Sequence, residues 1–403
     1  MIFHRFASWF ALLISSAYDD IMTANYISNK AVIALHFNTT IPSLYHGGTF
    51  YSAGFLLGAV VWNILIQYFS NRRLLNIVQP LLLLSTALIF SIRGIIALFI
   101  LNFVQGFLIS AILLLVYSLI RYNFSEARFN HFIAMNGSLV YLAEAMIPMI
   151  NLYLNHSPTL YIVGILLIVL VTQYTAFIPL KDPPRLPDLK SSFLYFYTHL
   201  FQILCSNFSL LFCVCSICEG LNDTLLNLVE GILGNLGVDS TITYYFLCSI
   251  SILSSLSVYL GSLFISRRIE KSGNLPFVSK LKSAKKLLKL IALSLFTAAI
   301  IPTPNSYWVF LLYISIFLIG SALVHYLCLY AIHIKYKDSA IVVSILLVLE
   351  TIASIFFRIT CLPIQNSRRG LMVYILFFTI IMSFLVNYLM NEASNSRVKR
   401  LPL

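Results

Sequence analysis

Between Ile95 and Ile120 the chain carries no charged side chain. About 20 such residues suffice to cross ~30 Å of hydrocarbon as a helix. The run is one of a series. Comparable stretches cover Phe6–Asn25 (extending towards Leu35), Thr49–Phe69, Leu74–Ile92, Phe132–Leu154 and Thr159–Leu180. They resume at Asn207–Val229, Thr241–Ile265, Leu287–Ile301, Tyr307–Ile332, Ala340–Leu362 and Leu371–Met390. Only 10% of the 403 residues are charged and 60% are hydrophobic, whereas a soluble domain carries ~25% charged residues to face water. The runs do not alternate in polarity over the ~10-residue segments of a membrane β-barrel. Helix is then the form that satisfies the backbone in lipid. The expected fold class is an all-α integral membrane protein of about twelve transmembrane helices.

Near the middle, residues 181–190 read Lys-Asp-Pro-Pro-Arg-Leu-Pro-Asp-Leu-Lys, too charged and too proline-rich to span a bilayer. This divides the chain into an expected six-helix bundle over 1–180, a cytoplasmic linker over 181–192 and a second six-helix bundle over 193–403. The latter opens with an amphipathic stretch, Phe193–Ser206. Six spans, a linker and six spans is the layout of a two-fold repeated transporter with pseudo-symmetric halves. The formal net charge of +12 does not imply nucleic-acid binding, because the basic residues sit in short clusters between apolar runs. Placing both termini in the cytoplasm puts all 26 Lys and Arg residues except Lys30, Arg93, Arg358, Arg368 and Arg369 on the inner side, as the positive-inside rule requires. Met1 to Arg5 before an apolar run resembles a signal sequence. Without a small-residue cleavage site, and with Asp19 and Asp20 interrupting the run, it reads as an uncleaved first helix. The seven cysteines lie in or beside apolar runs at no metal-site spacing, and read as packing residues. No metal or cofactor is expected, and no P-loop or catalytic signature indicates an enzyme.

Several segments carry a family pattern. From Gly58 the chain runs through Trp62, Gln67, Phe69, Ser70 and Asn71 to Arg72-Arg73, and Gly261 followed by Arg267, Arg268 and Gly273 echoes it in the second half. Asn102-Phe-Val-Gln105-Gly106 lies in the fourth span. Ile120-Arg121 to Glu126 follows that span, and Gly137–Asn151 with Pro148 fills the fifth. Together these resemble the major facilitator superfamily, within it the bicyclomycin-resistance type of drug/proton antiporter. The resemblance implies that Gln67 stands where relatives carry a gating aspartate and Ser70 where they carry a glycine. It also implies that Asn102 stands where they carry an arginine linked to proton transfer. By the same resemblance, Gln67, Arg72, Arg73, Arg121, Arg267 and Arg268 form the cytoplasmic latch, and Asn102, Gln105 and Gly106 the fourth-helix motif. A bacterial inner membrane and a monomeric state are expected on the same footing.

An ionisable group within the bilayer costs at least ~2.5 kcal/mol and normally faces a cavity or a partner. The candidates are Asp19 and Asp20 in the first span, Glu144 in the fifth, Glu219 and Asp223 in the seventh, His325 in the tenth and Glu350 in the eleventh. The resemblance implies that spans one, five, seven and eleven border a central cavity. Asp19 and Asp20 point ~100° apart and cannot share one spot. Glu219 and Asp223 share a helix face. A bland role stands beside each functional one: Asn136 or Tyr141 could satisfy Glu144, His325 could be a hydrogen-bonded packing residue, and Arg358 could reach outward to the interface.

The expectation is therefore a secondary active transporter working by alternating access. In its sharpest form it is a proton-coupled efflux antiporter for small amphipathic or cationic solutes, with protons and the lipid bilayer as its other partners. Two alternatives stay open: a nutrient or siderophore-type importer of the same superfamily, and a non-transporting membrane sensor or scaffold.

Overall fold

The computed structural model describes residues 2–89, 91–153, 180–235, 238–272, 276–300, 307–336, 339–361, 363 and 367–398. Among these residues the ordered elements are helical. The sixth expected span falls almost wholly outside them. The chain divides into two units, one of Met1–Phe201 with Asp338–Val348, the other of Gln202–Lys337 with Leu349–Leu403.

The first unit opens with three helices in place of one long first span: α1 (Ile2–Ser16), α2 (Tyr18–Ser28) and α3 (Lys30–His36). The last ends where Asn38 takes a positive φ of 48°, a left-handed cap that asparagine tolerates. The Thr39 amide reaches back to the Ala34 carbonyl at 2.9 Å. There follow α4 (Ile41–Tyr68), α5 (Asn71–Leu88), α6 (Ile95–Asn123) and α7 (Glu126–Tyr153). Ile33, Phe37, Leu44, Ile89 and Leu98 form one buried cluster that packs the α3–α4 turn against the far end of α5 and the start of α6.

α4 and α6 pack backbone against backbone. A Cβ on Gly54 would overlap the Phe103 carbonyl, and one on Gly106 would overlap the Tyr51 carbonyl. Gly54 and Gly58 are four residues apart on α4, the small-xxx-small spacing that lets membrane helices approach closely. Trp62 closes the contact, its indole N–H donating to the Phe107 carbonyl at 2.8 Å. Gly106 thus serves the packing of the fourth-helix motif.

The linker is shorter than expected, because helix α8 (Leu189–Leu204) already begins at Leu189. A single 3-10 turn at Asn207–Ser209 leads into α9 (Leu210–Asn235), followed by α10 (Ser240–Ser272), α11 (Pro276–Ile300), α12 (Tyr307–Lys335), α13 (Ser339–Cys361) and α14 (Arg368–Val398). Lys280–Lys286, expected in a loop before the ninth span, lies within α11. Lys280 is fully buried, with its ammonium 4.2 Å above the Tyr330 ring and 5.6 Å from that of Tyr326. Lys285 donates to the Asn387 side-chain oxygen on α14 at 2.5 Å. These contacts account for the basic helix: two of its amines are taken up by neighbouring helices rather than by water. Among the described residues, seven helices are long and apolar enough to cross a membrane.

Candidate functional site

In the second unit, three helices converge on one imidazole. α12 presents His325, α9 presents Glu219 and α13 presents Glu350. The His325 Nδ1 lies 3.1 Å from Glu219 Oε2 and its Nε2 3.1 Å from Glu350 Oε1. The side chains are 17%, 31% and 19% exposed respectively, so the group is largely withdrawn from the surface but not sealed. Local sequence explains the approach. A Cβ on Gly220, next to Glu219, would lie 2.8 Å from the Ala353 backbone carbon and 2.8 Å from the Phe357 ring. Glycine there lets α13 come close enough to bring Glu350 into the cluster. One turn from each acid or base lie supporting contacts: Ser321 donates to Asn222 at 2.5 Å, and the Cys215 thiol faces the His325 carbonyl at 3.8 Å.

The bracket has a definite proton requirement. A neutral imidazole offers one N–H and one lone pair, and an ionised carboxylate only accepts. With an acid on both ring nitrogens, one interaction would set lone pair against lone pair unless an additional proton is present. That proton converts the ring to an imidazolium donating both ways, or sits on one carboxyl group and is donated to the ring. Either way, it is an additional proton that would satisfy both contacts, in a setting where an uncompensated charge is expensive.

Asp223 is on the same face of α9 as Glu219 but belongs to a different pair. Its Oδ2 accepts from Arg358 Nη2 at 2.7 Å. Arg358 reaches outward only in part: its side chain is half exposed while its guanidinium is held by the acid.

The first unit has a second acid centre. Asp19 and Asp20 are half-buried in the first turn of α2, and the Tyr51 hydroxyl on α4 donates to Asp19. Nearby motif residues are neutral and paired. Gln105 donates to Thr86 at 3.3 Å, and the buried Asn102 sits beside Gly47 opposite the Tyr26 hydroxyl, which reaches the Leu44 carbonyl at 3.2 Å. The side chain of Glu144 lies outside the described residues. Its suggested partner Asn136 is engaged elsewhere, accepting from Ser16 at 2.5 Å and donating to the Tyr117 hydroxyl at 3.1 Å.

At the end of α4, Gln67 carries no carboxylate, yet an acid is present. Asp182 of the linker accepts from the Ser70 hydroxyl at 2.6 Å, from the Arg72 amide at 3.3 Å and from Arg185 at 2.8 Å. It therefore sits on the N-terminus of α5, where a negative charge meets unpaired amides and the positive end of the helix dipole. The Leu186 amide bonds the Gln67 carbonyl at 2.9 Å, and Asn123 at the end of α6 pairs both ways with the Lys181 backbone, at 2.8 and 2.9 Å. Arg73 is exposed and Arg121 stacks on Phe129 at 4.8 Å. The side chains of Arg267 and Arg268 lie outside the described residues.

A family model for the Major Facilitator Superfamily matches residues 9–357. The chain belongs to the major facilitator superfamily. The superfamily's members are transporters rather than enzymes, and the chain is an integral membrane protein of all-α fold whose neighbours have two six-helix halves. Its fold matches the human organic anion transporter MFSD10 (TETRAN) with a TM-score of 0.71 at 13% identity, over 95% of this chain and 99% of that one. It also matches a bacterial homologue of the iron transporter ferroportin in an outward-facing state with soaked iron, with a TM-score of 0.69 at 12% identity, over 96% and 98%. A third match is the proton:xylose symporter XylE bound to 6-bromo-6-deoxy-D-glucose, with a TM-score of 0.67 at 13% identity, over 96% and 95%. At these identities the likeness is one of fold alone. No curated protein sequence matches the chain significantly.

Proposed function

We propose that this superfamily member is a proton-coupled secondary transporter that exports small amphipathic or cationic solutes by alternating access, with Glu219, His325 and Glu350 as its coupling site. The observation that carries the reading is the imidazole held 3.1 Å from a carboxylate on each side. With one proton shared, the cluster has a net charge of −1; with two it is neutral. A solute cation entering beside the cluster would make the second proton redundant, so cation and proton would compete for the same charge balance. Competition of that kind, with each ligand stabilising a different occupancy of one site, is what exchange in opposite directions requires. The orientation, with both termini in the cytoplasm, rests on the lysine and arginine distribution. Asp182 serves as the cytoplasmic acid that Gln67 lacks.

The test is a susceptibility and accumulation screen in an efflux-deficient bacterium, followed by proton flux in proteoliposomes. Wild type should lower accumulation of some cationic compound, and Glu350→Gln and His325→Gln should abolish its link to the proton gradient at equal membrane expression. Uptake rather than export of the responsive compound would reverse the direction proposed. Solute movement indifferent to the gradient would remove the coupling role.

A further inference from the structure

The helix after the linker has three distinct sides. At 3.6 residues per turn, Ser192, Phe196 and Ile203 share one side of α8, and all three are buried against the protein. A second side carries Leu189, Phe193, Leu194, Tyr197, Phe201 and Leu204, which fall within an arc of roughly 140°. Each of these is at least 44% exposed, and Phe201 reaches 69%. The third side is polar, with Thr198 and Gln202 exposed and Ser191 half-exposed. A helix packed only in water would not present six large apolar groups in one stripe.

The connections of the helix limit its depth independently of its face. The residues leading into it are pinned to the ends of two spans: Leu186 to Gln67, one residue before the span His46–Tyr68 ends, and Lys181 to Asn123, where the span Ile95–Asn123 ends. α8 starts three residues after Leu186, and the next span begins at Asn207, three residues after α8 ends. Between these two border points lies only a 16-residue helix, about 24 Å long. That is short of the ~20 residues of a crossing, and it has a full polar side.

We propose that α8 is an interfacial helix. Its exposed stripe is embedded in the acyl–headgroup boundary of the leaflet on the linker side, its polar side faces water, and its buried side is held by the protein. Exposed Lys190 sits in the first turn near the middle of the stripe. Together with Lys181 and Arg185 just before it, it gives this edge the charge that suits anionic headgroups, with the Lys190 stem lying along the apolar stripe and its amine at the phosphates. The helix would thus moor the linker, and with it Asp182, to the membrane surface.

The full-length chain in lipid vesicles tests this with two quenchers, bromine on shallow acyl carbons and acrylamide in the water. Single tryptophans are introduced as Phe201→Trp, Leu194→Trp and Thr198→Trp. The parent chain with Trp9, Trp62 and Trp308 supplies the background. Phe201 and Leu194 are so exposed that substitution leaves the core untouched. The proposal expects bromolipid to quench Phe201→Trp and Leu194→Trp several-fold more than Thr198→Trp, with acrylamide showing the opposite order. Equal acrylamide quenching at all three positions would put the stripe in water and overturn it. Shielding of Phe201→Trp from both quenchers would also overturn it, by showing that a second copy or another protein covers the stripe.

Discussion

Glu350→Gln probes the coupling site with the least change of shape. Glutamine keeps the length of the side chain and one acceptor, but it removes the charge facing His325 Nε2 at 3.1 Å. Both partners are less than one-fifth exposed, so solvent screens the pair only partly. A hydrogen bond to a charged group contributes ~1.5–3 kcal/mol, and the Coulomb energy at ~4 Å and an effective dielectric of ~20 sets an upper bound near 4 kcal/mol. Taking ~2 kcal/mol, the shared proton would be held roughly 30-fold less tightly, since ~1.4 kcal/mol is tenfold. Half-maximal proton-driven exchange should then need correspondingly more protons. Glu219→Gln should act in the same direction, and the double variant should lose coupling altogether, because no carboxylate would remain to share the proton. The assay is solute-coupled proton flux in proteoliposomes across a pH series, with folding checked by gel filtration. If Glu350→Gln folds normally and keeps both its pH profile and its solute-to-proton coupling, the bracket does not carry the coupling proton.

Other consequences are separable from that chemistry. Gly106→Val should force α4 and α6 apart, because the obstacle is the Tyr51 backbone. Overpacking of this kind costs ~1–3 kcal/mol and should lower the thermal midpoint. Gly48→Ala meets nothing within 4 Å and should leave the midpoint unchanged. Asp182→Asn removes the charge from the α5 N-terminus and should cost ~1 kcal/mol locally, read as faster tryptic cleavage at Arg185; a cleavage rate equal to wild type would deny the docking. Asp223→Asn should cost less than ~1 kcal/mol, because Arg358 is half exposed and such pairs contribute little. A large drop in thermal midpoint for that variant would show that the pair is structural.

The spans were legible because lipid imposes an unbroken apolar length, a signal that survives in a single sequence. Their ends were less so. The break at Ala17 and the turn at Asn29 divide a run that reads as one span in spite of Asp19 and Asp20. Lys280 reads as a loop residue by charge and becomes a helix residue through two tyrosine rings on α12. Glu219, His325 and Glu350 were each recognisable as an ionisable group in an apolar run. Their meeting was not, since it depends on the rotation of three helices and on the close approach that Gly220 permits. The partnership of Asp182 with Ser70 left no trace in local pattern either: residues 112 positions apart were joined by the fold, and the motif position at Gln67 pointed to a missing charge rather than to its replacement.

The two acid centres differ in what their partners can do. Asp19 is held by a phenol, a neutral donor that stabilises the anion and has no charge of its own to give up at ordinary pH. The phenol offers a proton arriving at Asp19 no base to relay it. Glu219 and Glu350 face an imidazole, the side chain that gains and loses charge most readily near neutrality, so a proton can move among three groups with changes of bond length alone. The fourth-helix motif positions of the first unit are neutral as well, with Asn102 and Gln105 both buried and close to hydroxyls. If charge changes during the cycle, the second unit is where it costs least, and Tyr51→Phe should then alter solute affinity while leaving the number of protons moved per solute unchanged. A changed proton count in Tyr51→Phe, measured in the same proteoliposomes, would shift the coupling role to Asp19.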